Sequence, residues 1–158
     1  MATITKVQSA SNRLGATPWG NLSALHYTLV TNAAGAALGG DILTPAIQGT
    51  KVRLGLLPAG FKLIDSLVIV AVGMTASVTA KIGFEYADGV DVPAVAQDDD
   101  YFGAAVNLAA TARLRNATAN PVITLPKDAY LILTVGGADN AKASALDVVV
   151  LGVPEGVA

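Results

Sequence analysis

The chain has 158 residues, 53% hydrophobic and only 14% charged, with no cysteine, one histidine and a net charge of −2. One domain is expected at this length. So little charge cannot solvate a whole surface, so part of it is expected to be covered by another copy or a partner. The absence of cysteine excludes disulfides and thiolate metal sites. No basic surplus exists to neutralise phosphates, so nucleic-acid binding is not expected. The longest apolar run, Leu67–Met74, falls far short of the ~20 residues of a membrane span. No secretion signal is legible in Met1–Lys6, so no membrane role is expected, and synthesis in a cytoplasm is.

Residues 1–25 read as an extended N-terminal arm. They hold Ser, Asn, Gly, Pro and Thr with scattered large apolar residues and no sustained period. Arg13, Trp19 and Leu22 are its partner-contacting candidates. Trp19, the sole tryptophan, suits a docking anchor; capping its own core is the alternative. Residues 26–158 read as one β-sandwich.

His26–Thr31 reads as a strand, and Asn32–Gly40 as an uncharged loop. Gly35, Gly39 and Gly40 lack the helix that a phosphate-cradling loop needs, because Pro45 follows closely. Asp41–Leu43 is a further candidate strand. In Lys51–Leu57 the residues Val52, Leu54 and Leu56 alternate with Lys51, Arg53 and Gly55, the period of a half-buried strand. Leu57-Pro58-Ala59-Gly60 is a turn, and Lys62–Val72 is a long β-branched strand. Val68–Val72 is apolar on both faces, so both sides need covering.

Val78–Tyr86 alternates again, and Asp88-Gly89 marks a turn. Val90–Asp100 reads as an acidic loop and Tyr101–Gly103 as the start of a short strand. Ala104–Arg115 is read as one strand, since its alternation outweighs the helical preference of its alanines. Val122–Leu125, Ala129–Val135 and Leu146–Val153 complete eight or nine short strands with no helix. That pattern predicts an all-β, antiparallel sandwich or barrel, of which the jelly roll is the eight-stranded version.

No catalytic constellation is legible. The single histidine, His26, sits in a strand and suits a structural hydrogen bond better than catalysis. Asp98, Asp99 and Asp100 are the best metal-ligand candidates, because calcium takes six to eight oxygens. Their spacing matches no EF-hand loop, and a solvated acidic loop is the plainer reading. No enzyme activity and no cofactor are expected.

Three pieces in order carry a resemblance. They are the strand running into Leu57-Pro58-Ala59-Gly60 and Leu63-Ile64-Asp65, the strand ending Gly83-Phe84-Glu85-Tyr86-Ala87-Asp88-Gly89, and Asp98-Asp99-Asp100-Tyr101-Phe102. Together they resemble the capsid decoration (cement, or head-stabilising) proteins of tailed bacteriophages. The resemblance covers about Lys51–Phe102 well, the C-terminal strands loosely and the arm not at all. It implies a jelly-roll-like sandwich, a homotrimer on the outside of the head, and the major capsid protein as partner. It implies assembly in the host cytoplasm and no catalytic residues. The competing expectation is a receptor- or carbohydrate-binding sandwich of a phage tail or fibre, which needs exposed aromatics near Tyr86, Tyr101 or Phe102.

Overall fold

A computed structural model describes residues 2–6 and 22–155. Ten strands form in chain order: β1 (Thr3–Thr5), β2 (Ser23–Thr31), β3 (Lys51–Leu57), β4 (Phe61–Val72), β5 (Thr79–Tyr86), β6 (Asp98–Asn107), β7 (Ala112–Arg115), β8 (Ile123–Thr124), β9 (Ala129–Gly136) and β10 (Ser144–Pro154). They make two five-stranded sheets. The first has the order β1-β3-β9-β5-β6; the second has β2-β10-β4-β7, with β8 beside β4.

Leaving out β1 and β8, the strands pair as four nested antiparallel ladders: β2 with β10, β3 with β9, β4 with β7 and β5 with β6. The chain is one long hairpin wrapped over itself, which is the eight-stranded jelly roll expected from the sequence. The single parallel pairing is β1 on β3, among the described residues.

The alternation read from sequence decides which side chains meet between the sheets. From the first sheet come Val52, Leu54, Ile82, Phe84, Leu131 and Leu133; from the second come Tyr27, Leu29, Leu63, Val68, Val148 and Val150. All are almost fully buried. Each large aliphatic or aromatic side chain so buried stabilises the fold by roughly 1.5–3 kcal/mol before entropy is counted. Phe84, Tyr86, Tyr101 and Phe102 continue the core as edge-to-face aromatic pairs with centroids 4.8–5.9 Å apart.

Several elements differ from the sequence expectation. The segment read as an arm enters the sandwich at both ends. Thr3–Thr5 forms β1, which carries Ile4 fully into the core, and β2 begins at Ser23 rather than His26. Asp41–Leu43 forms no strand; Asp41 instead accepts the Thr5 amide. Ala104–Arg115 is two strands, because the chain leaves β6 at Leu108 and crosses to the other sheet as β7. Leu108 is fully buried there, its backbone bonded to Val78 and Met74. The acids Asp98–Asp100 belong to β6, not to a loop.

Candidate functional site

The two sheets present very different outer faces. On the first sheet, Lys51 pairs across β9 with Thr134 and then Lys81, and Leu56 with Tyr130 and then Glu85. Outward alternation therefore collects charge. Glu85 accepts from Lys51 Nζ at 2.5 Å and from Arg53 Nε at 2.6 Å. The Arg53 guanidinium also lies 4.9 Å from the centre of the Tyr130 ring. Burial alone would raise the Glu85 carboxyl, but Lys51 and Arg53 outweigh it and hold the group below the ordinary carboxylate range.

The acidic run folds onto the same face. Between the Ile82–Gly103 and Phe84–Asp98 pairs, β6 carries a bulge. Its backbone crosses Gly83 so closely that a Cβ there would lie 2.1 Å from the Asp98 carbonyl oxygen. The carboxylates of Asp98, Asp99 and Asp100 come within 4.8 Å of one another. Lys81 stands against them, 3.1 Å from Asp99 and 3.7 Å from Asp100. Burial and the two like charges hold Asp98 above its ordinary range, although it accepts the Asp100 amide. The expected metal candidates are thus brought together with a lysine already supplying counter-charge.

A shallow cleft of about 190 Å³ runs from Asp98 and Tyr101 to Asn120 and Ile123. It is smaller than the ~300–1,000 Å³ usual for ligand pockets. Tyr86, Tyr101 and Phe102, the aromatics required for a carbohydrate platform, are core residues at 1%, 6% and 3% exposure. Their hydroxyls point to backbone: Tyr86 donates to Val95 and Tyr101 to Pro121. That corrects the expectation of an aromatic groove on this side.

On the second sheet the register aligns apolar residues outward. One row reads His26, Val149, Leu67, Arg115; the next reads Thr28, Asp147, Ile69, Arg113. Leu151 and the bulged Ile64 extend the stripe, and Val72 closes it at 51% exposure. The two-sided run Val68–Val72 therefore has one side in the core and the other on the molecule's outside. Charge flanks the stripe, with Asp147 on β10 beside the β2 edge, Asp65 on β4, and Arg113 and Arg115 on the β7 edge. His26 Nε2 and the Thr28 hydroxyl both bond Asp147 Oδ1, at 2.8 and 2.9 Å. Together they hold the Asp147 carboxylate in place on this face. At the β7 edge Arg115 pairs with Asp65.

Of the three partner candidates, Leu22 is 61% exposed just ahead of β2. Arg13 and Trp19 lie outside the described residues. Sequence reasoning did not find a second apolar surface, the loop after β2, where Leu38, Leu43 and Ile47 are exposed while Ala36, Ala37 and Ala46 point inward. The inverted placement of large and small residues in an uncharged stretch was the available signal.

No protein-family model matches the chain, and no curated protein matches it. Solved structures do. The fold is similar to a chain from the capsid of Ralstonia phage GP4, with a TM-score of 0.69 at 16% identity, covering 99% of this chain and 100% of that one. It is also similar to a chain in the capsid asymmetric unit of cyanophage Pam1, with a TM-score of 0.54 at 13% identity, covering 94% and 98%. The fold is therefore one found in chains of phage capsid structures.

Proposed function

We propose that this chain is a structural protein of a tailed-phage virion, a decoration or cement protein that binds the outside of the head and stabilises contacts between capsomers. The end-to-end likeness to a chain of the GP4 capsid carries this reading, since neither chain leaves a domain unmatched. The surface agrees with it: an outward apolar sheet face, sparse charge and a small open cleft suit a protein that acts by being covered.

The partner in this reading is the major capsid protein, and the chain works as a homo-oligomer, with a trimer favoured. In this reading Arg13, Trp19 and Leu22 are the residues that contact the shell. Co-sedimentation of the purified chain with empty heads tests the proposal. Saturable pelleting with the heads is expected; a chain left wholly in the supernatant would remove the decoration role.

A further inference from the structure

The outer face of the second sheet has a composition that a second copy of itself would complement. Its centre is Leu67, Ile69, Val149 and Leu151, all half-buried and pointing away from the core. Two charges of opposite sign stand on one row of this face, Asp147 on the inner strand β10 and Arg113 on the edge strand β7. Asp147 is fixed by His26 and Thr28. Arg113 stands exposed, and among the described residues no ion pair engages it. The two share a row of the sheet, with Ile69 between them.

We propose that copies of this chain associate through the outer face of the second sheet, the apolar stripe of one covered by the other and Arg113 of one copy meeting Asp147 of the next. Opposite charges two strands apart on one row make the face complementary to itself, whereas an acidic or a basic partner would satisfy one of them and repel the other. The single-signed alternatives are therefore disfavoured by the same residues.

Size sets the expected strength. Four strands at ~4.8 Å spacing and about six residues of ~3.3 Å rise give a face of about 400 Å² per copy. A standard stable interface buries about 800 Å² per partner. This face alone therefore gives weak, reversible association. The surface supplies a two-fold contact between copies, separate from the trimer proposed above. Its test involves no shell, so the two readings can fail separately.

Sedimentation velocity of the full-length chain over a concentration series is the experiment, with Arg113→Asp, Asp147→Arg and the double variant. Reversible association of the native chain is expected, weakened about tenfold by each single reversal and largely restored in the double variant. Thermal melts establish that each variant is folded. If Asp147→Arg does not fold, Ile69→Lys takes its place, and it must abolish association. A native chain that stays monomeric up to about 1 mM, the weak end of the affinity scale, overturns the proposal. So does association that none of these variants alters.

Discussion

The outer faces of the two sheets start from the same period-two alternation and end as opposites. On the first, alternate positions of β3, β5 and β6 deliver cations and carboxylates that answer one another: Lys51 and Arg53 hold Glu85, and Lys81 holds Asp99 and Asp100. On the second, alternate positions of β4 and β10 deliver Leu67, Ile69, Val149 and Leu151, with Asp147 beside them on β10 and Arg113 on the β7 edge. On the first face each of these cations has a carboxylate partner. The second leaves apolar area and an unanswered charge outside. Both sides of the sandwich carry ion pairs, Lys62–Glu155 and Arg115–Asp65 among those of the second, but only the second exposes a continuous apolar stripe, and that contrast marks it as the side to be covered.

Breaking the charged face has the largest effect. Gly83→Ala pushes a Cβ into the Asp98 carbonyl oxygen at 2.1 Å, against backbone that cannot yield without lifting the β6 bulge. A loss of about 3 kcal/mol is expected in denaturant unfolding. Native stability in this variant would mean the bulge is not seated on the sheet. Glu85→Ala strands Lys51 and Arg53, both about a third exposed, so the expected loss is smaller, about 1–2 kcal/mol.

Acid titrates the same pair. Glu85 is held below its unfolded value, so its contribution is complete above that value, near 4.5, and is lost as pH falls through the lower folded one. Asp98, held above its ordinary range, acts with the opposite sign. The melting temperature of the native chain should therefore fall below about pH 4.5 more steeply than that of Glu85→Ala; parallel curves would show that the pair contributes nothing.

On the apolar face the expectation is reversed. Ile69→Lys should change folding stability by no more than about 0.5 kcal/mol, because the side chain points outward. Its effect should appear in association and head binding instead. A large loss of stability would show that the face is structural. The smallest effect is expected from calcium. Lys81 already counters Asp99 and Asp100, so added calcium should leave the melting temperature unchanged; a clear rise would make the acidic cluster a metal site.

Much of this was legible because strand alternation is local. Val52, Leu54, Ile82 and Phe84 are core residues where their period put them, whereas Leu56 of the same alternation turns outward past the β3 bulge and Leu57 takes the core position. The acids of β6 were misread because charge is poor strand chemistry. Only Gly83, distant in sequence, provides the open surface on which their backbone rests. The division of Ala104–Arg115 was hidden for a similar reason: the alternation continues through Leu108 although the chain changes sheets there. β1 is too short for a period to show, yet Ile4 is wholly buried. The exposed side of Val68–Val72 was readable as an apolar surplus. That Asp147 and Arg113 flank it depends on the register of β10 and β7 against β4, which no local pattern encodes.

A cryo-electron microscopy map of the head that carries this chain would test the central claim most directly. The account predicts the sandwich on the outside of the shell, with Leu67, Ile69 and Val149 covered by protein and the Lys51–Glu85–Arg53 face turned away from that contact. A chain found within the shell wall, or one whose second-sheet face is open to solvent in the assembled particle, would contradict it.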